Sequence, residues 1–140
     1  MEGPIADGFV AAGLDITTTE LADELAGGVM SAGPHRLEAA ARQGIPQVVC
    51  PRGIDMVNFG PLDSIPEKYQ QRQLHIHNAN VTLMRTTPAE CAELGRITAA
   101  KLDRARGPVT SACHSGASRP LIFPMSPSII PKRTGATSTP

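Results

Sequence analysis

His75-Ile76-His77-Asn78 sets two imidazoles two positions apart. On an extended backbone they share one face, and near neutral pH each can act as acid, base or hydrogen-bonding group. Zinc would need a third protein ligand. No CxxC, HExxH or second His pair supplies it, and His35 and His114 are remote in sequence. The motif predicts histidines that bond an anionic ligand, with no metal site. Asp55-Met56-Val57-Asn58-Phe59-Gly60 places a carboxylate and an amide three apart, just after an apolar strand. Loops at the carboxyl ends of parallel strands build ligand sites. Asp55 and Asn58 are therefore candidates for ribose hydroxyls or a base edge, with loop packing around Phe59 as the equal alternative.

Gly28-Val29-Met30-Ser31-Ala32-Gly33-Pro34 is a glycine-rich turn before a predicted helix. Ser31, Ala32 and Gly33 there present backbone N–H groups that can hold an anion. The string fits neither GxGxxG nor a Walker A loop, so an ordinary strand-to-helix turn is the plainer account. Arg85 and Thr86 end a strand, where a guanidinium suits a phosphate or carboxylate. Ser31 has no recognisable base partner, which leaves a hydrolase triad unsupported. Cys50 and Cys91 fall on apolar faces and read as inert core thiols.

These groups need elements to hold them. Pro4 suits a first helical turn. Leu14-Asp15-Ile16-Thr17 reads as a short buried strand, and Thr19 to Leu25 as one or two helical turns stopped by Gly27-Gly28. Pro34 suits a helix start, Leu37, Ala40 and Ala41 share a helical face, and Gly44 is a C-cap. Pro46 to Cys50 reads as a buried strand. Helix, Gly-Ile-Pro, apolar strand, loop is the rhythm of a parallel βαβ unit. A short polar helix is expected around Pro66 to Arg72. Asn80 to Arg85 reads as a further strand. Thr87, Pro88 and Glu90 make a capping box for a helix over roughly Pro88 to Arg106. Its Cys91, Leu94, Ile97, Thr98 and Leu102 share one face. Val109-Thr110 begins another strand. The fold class is α/β: a partial Rossmann-like parallel sheet flanked by helices.

The 140 residues suffice for one modest domain. Thirteen basic and thirteen acidic residues cancel, so no nucleic-acid or membrane footprint is expected. No apolar run approaches the roughly 18 residues of a membrane span. Three cysteines, with no CxxC and no signal peptide, point to reduced thiols and a cytoplasmic location.

LDITTTELADELAGGVMSAGPHRLEAAARQGIPQVVCPRGIDMVNFGPLDSIPEKYQQRQLHIHNANVTLMRTTPAE carries a resemblance. With DMVNFG, HxHN and VTLMRTT in this order, Met1 to Thr110 resembles the family that shares the ATP-binding domain of the tomato mosaic virus resistance protein. The resemblance implies a longer protein of two Rossmann-like lobes, of which residues 1–110 are part of the C-terminal lobe. It implies ATP as cofactor, nucleotide as partner and a homo-oligomer when intact, and it establishes no reaction. Its signature loops are Ser31–Pro34, Asp55–Gly60, His75–Asn78 and Arg85–Thr87. Ligand-binding candidates are Ser31, Ala32, Gly33, Asp55, Asn58, His77, Asn78, Arg85 and Thr86; acid–base candidates are Asp55, His75 and His77. Pro51-Arg52-Gly53 departs from the family, which has small residues there.

Residues 111–140 are rich in Ser and Pro and lack periodicity, which predicts a disordered tail. Family members continue instead with a strand like LPLRGVSALD. Codons for Cys113 to Ile122 can spell that strand in the neighbouring frame, which predicts a frameshift near Thr110. The expectation is a truncated member with weak or absent ATP affinity and no independent activity. The alternatives are an ATP-using transferase- or ligase-like lobe and a nucleotide-stabilised interaction module.

Overall fold

Gln47-Val48-Val49 forms the middle of a parallel sheet, in keeping with the β-branched Val48 and Val49. A computed structural model describes residues 1–112; of the expected tail it includes Ser111, which is in a strand, and Ala112, while the rest from Cys113 onward, with the frameshift expectation, lies outside them. In chain order the elements are α1 (Glu2–Ala6), β1 (Gly13–Asp15), α2 (Thr19–Ala26), α3 (Ala39–Gln43), β2 (Gln47–Val49) and β3 (Met56–Phe59). Two 3-10 turns follow at Leu62–Ser64 and Glu67–Tyr69. Then come β4 (Leu74–Asn78), β5 (Val81–Arg85), α4 (Pro88–Leu102) and β6 (Val109–Ser111). Strands β1, β2 and β6 pair in parallel, with Leu14 beside Val48 and Val48 beside Thr110. The expected α/β class and flanked parallel sheet are what the chain forms.

The unexpected part is a second sheet. Strands β3, β5 and β4 pair antiparallel in that order. Asp55 to Gly60, expected as a ligand loop, instead supplies β3. Val57, Met84 and Leu74 stand in one row across it and join Phe59, Val49, Leu21, Leu37 and Leu94 in the main core. The chain thus runs β2, three antiparallel strands, α4, β6: a parallel crossover with a small sheet inserted.

Two sequence signals act at slightly different places than expected. Pro34 opens a turn, not a helix; Leu37 takes a left-handed φ of 72°, and α3 starts at Ala39. Gly44 caps α3 in the left-handed conformation, as its lack of a Cβ allows. Helix α4 keeps the predicted start and ends at Leu102, with Leu94 and Thr98 buried and Cys91, Ile97 and Leu102 half-buried. Cys50 and Cys91 are half-buried free thiols, not core residues; the Cys91 Sγ lies 3.2 Å from the Thr86 hydroxyl.

The α4 capping box is complete. The Glu90 N–H donates to the Thr87 Oγ1 at 3.1 Å, and the Thr87 N–H donates to the Glu90 carboxylate at 2.7 Å. Arg72 grips the same carboxylate with both terminal nitrogens, at 2.7 and 3.2 Å, and donates to the Arg85 carbonyl. Chiefly through Arg72, Glu90 falls from its ordinary 4.5 to about 2; Glu38 does likewise, chiefly through Lys101 and then His35. Folded pKa values below the unfolded ones add stability above pH 4.5, and this is lost as pH falls towards 2. Glu90→Gln is expected to cost about 1–2 kcal/mol at pH 7, after allowance for partial exposure. The cost should vanish near pH 2, as urea melts of both proteins at the two pH values would show.

Candidate functional site

Strand β1 ends at Asp15, and the chain turns through Ile16-Thr17-Thr18 into α2. At this carboxyl end of the parallel sheet lies an open cavity of about 470 Å³. Leu14, Ile16, Thr17 and Ala32 form its walls, and Glu2, Asp15, Glu20 and Arg36 supply its charge. The place is where open α/β sheets take their ligands, and the volume is that of a small-molecule pocket.

Arg36 is the centre of the site and is only 6% exposed. Its Nη2 donates to Asp15 at 2.5 Å and its Nη1 to Glu2 at 3.2 Å, while its Nε lies 3.7 Å from Glu20. Burial alone would lower the Arg36 pKa; the hydrogen bond and charge of Asp15, with Glu20 and Glu2, outweigh it and raise the pKa. Three carboxylates around one guanidinium leave a surplus of negative charge. Such a surface accepts hydroxyl and amine donors and repels a bare phosphate.

Glu2 does a second job. Its carboxylate accepts the backbone N–H groups of Leu37 and Ala39, at 2.9 and 2.8 Å. An anion is favourable at a helix start, and here the protein's own first turn provides it. The predicted anion-holding role of the preceding turn meets a related arrangement. Ser31 donates to the Glu24 carboxylate, and its oxygen accepts the Gly33 N–H at 2.9 Å. That hydroxyl is spent on α2 and that N–H within the loop, beside a carboxylate.

The other predicted residues lie elsewhere in the fold. Of the ligand-binding candidates, Ala32 is the one that lines the cavity. Asp55, Arg85 and Thr86 come together: Arg85 donates to Asp55 at 2.8 Å, the Thr86 N–H to the Asp55 carbonyl at 3.1 Å, and the Thr86 hydroxyl to the Ile54 carbonyl at 3.0 Å. Asn58 is buried on β3 against α2. Its N–H and side-chain amide donate to Asp23, at 2.6 and 3.0 Å. Desolvation raises the Asp23 pKa against the lowering effect of these Asn58 bonds. His75 is half-buried opposite Leu83, and His77 is exposed where the ladder shifts register between Ile76 and Asn78. The shift falls at the second of the two imidazoles and interrupts the regular ladder there. Asn78 accepts the Asn80 N–H at 2.8 Å and shapes the hairpin turn.

Glu2, Asp15, Glu20 and Arg36 were missed as a group. One signal pointed to them: a carboxylate inside a strand expected to be buried requires a buried cation. Arg36, just after the glycine-rich turn, answers it.

The chain matches the C-terminal domain of the uncharacterised protein family UPF0261 over residues 1–119. A UPF0261 protein of Clostridium tetani is 55% identical over 106 residues, which are 76% of this chain and 26% of that protein. One from Rhizobium meliloti is 48% identical over 109 residues, or 78% and 27% of the two chains. The ToMV resistance protein Tm-1(GCR237) of Solanum lycopersicum is 45% identical over 109 residues, 14% of its length. The chain spans about a quarter of the length of these bacterial relatives. A family match over most of its length, supported by these identities, means that the chain belongs to UPF0261, within that family's C-terminal domain.

Proposed function

We propose that this chain carries part of an ATP-binding site in a UPF0261 protein and has no catalytic activity of its own. The observation that carries the reading is the cavity at the carboxyl end of the parallel sheet, with carboxylates set between apolar walls. ATP enters from the resemblance to the ATP-binding domain of the tomato protein; the geometry bears on which part of it fits. Ribose hydroxyls and the adenine amine are donors, which Asp15, Glu20 and Glu2 can accept, and the base can lie against Thr17 and Ala32. The triphosphate does not fit: Arg36 is the basic residue of the lining and is committed to three carboxylates. In the longer relatives the phosphates would be met by residues outside this chain. The chain alone would therefore bind ATP weakly, and no better than adenosine.

The test is an amide NMR titration of the 140-residue chain with adenosine, ATP and Mg-ATP, beside calorimetry of the full-length Clostridium tetani relative with ATP. The chain should show adenosine and ATP affinities within about threefold, in the millimolar range, with shifts at Ile16, Thr17 and Ala32. Ala32→Trp should abolish them by filling the cavity. The full-length relative should bind ATP at least 100-fold more tightly. Submicromolar ATP binding by the chain, shifts confined to residues away from the cavity, or no binding by the relative would each sink the reading.

A further inference from the structure

Among the described residues the parallel sheet is clothed on one face only. Gly13, Asp15, Gln47 and Val49 are buried on the helix side, with Val49 in the core built by α2 and α4. On the other side Leu14 is 57% exposed and Ile16, two residues on, is 55% exposed. Val48, beside Leu14 in register, is half-covered, and Thr110, beside Val48, is exposed. Parallel sheets are covered on both faces almost without exception, because their strands are apolar on both sides. Among the described residues the sheet has no strand beyond β1 or β6.

We infer that this bare face is the seat of another segment of a UPF0261 polypeptide: an apolar α/β segment, basic where it passes the carboxylate cavity. In the Clostridium tetani protein about three-quarters of the chain lies outside the match, which is ample length to supply it. Charge argues against a second copy of this chain. Leu14 and Ile16 line the same cavity as Glu2, Asp15 and Glu20. Two such faces packed together would bring two acidic clusters side by side, which disfavours the pairing. A segment with an apolar surface and a basic rim satisfies both features at once.

The test is complementation. The 140-residue chain is co-expressed with a Clostridium tetani relative from which the matched 106 residues have been deleted. Separately, the purified chain is mixed with the intact relative. The expected result is a soluble one-to-one complex with the deleted relative and none with the intact one, whose own segment already fills the seat. Leu14→Glu with Ile16→Glu should reduce the recovered complex at least tenfold. Both positions are exposed, so the melting temperature of the chain itself should stay within a few degrees. Four outcomes would overturn the inference: no complex, a deleted relative insoluble with or without the chain, equal capture by the double variant, or equal binding to the intact relative. A homodimer that the same substitutions dissolve would replace it with self-association.

Discussion

Arg36→Ala is expected to remove about 3–5 kcal/mol of stability, since breaking a buried ion pair strands the charges that remain. Asp15 would be left buried, and Glu2 would lose the cation that balances its place above α3. Folded domains hold roughly 5–15 kcal/mol in total, so the loss would leave this small protein near its unfolding threshold. Lysine is a poor substitute: a single ammonium lacks the fork that reaches Asp15, Glu2 and Glu20 together. The sign of the pH dependence identifies the cause. Stranded carboxylates in a buried place take up protons more readily than in the unfolded chain. The variant should regain stability relative to the native protein as pH falls from 7 to 4, whereas loss of packing alone would give a pH-independent difference. Urea melts at three pH values decide between them.

Asp23→Ala is expected to cost about 2–4 kcal/mol, because it removes the carboxylate that accepts from two buried donors. Those donors are the N–H and the side-chain amide of Asn58, at the centre of β3. The same clamp fixes Gly28. A Cβ there would sit 2.3 Å from the Asp23 Oδ1 and 2.8 Å from the Asn58 carbonyl oxygen. Gly28→Ala should therefore be destabilising by a similar amount, from contact and not from a strained φ. The two effects should be far from additive, since both disrupt one contact between α2 and β3. A double-mutant cycle by urea denaturation measures this; additivity within about 0.5 kcal/mol would show that Asp23 and Gly28 act separately.

The parts of the fold that could be read in the sequence are those written locally. Gly44 before Ile45-Pro46 and an apolar run gives a helix end and a parallel strand. Thr87-Pro88 with Glu90 gives a helix start, and both stand where they were expected. The antiparallel sheet was not legible as such. Asp55 to Phe59 is short and carries two polar side chains, the composition of a loop. Asn58 is tolerated in mid-strand because Asp23, 35 residues earlier, accepts its protons. No spacing rule shows a pairing of that range. The site was hidden for the same reason: Glu2, Asp15, Glu20 and Arg36 come from four separate stretches, joined by charge balance and not by a motif. The more motif-like strings hold the fold together instead. Asp55 with Arg85, and Asn58 with Asp23, are bonded within the protein.

The insertion of one sheet inside the crossover of another also sets an order of assembly. The hairpin of β4 and β5 turns within a few residues, and β3 joins it from nearby. Contacts that close short loops form fast, and those that close long ones wait on the entropy of the intervening chain. Strand β2 has the opposite fortune. It meets β1 across a helical crossover, and meets β6 only after the whole small sheet and α4 are in place. As the chain is synthesised from its amino end, Gln47-Val48-Val49 therefore waits with one side unpaired. In that interval this strand is an exposed edge, and such an edge is a place where misassembly can start before the finished fold exists.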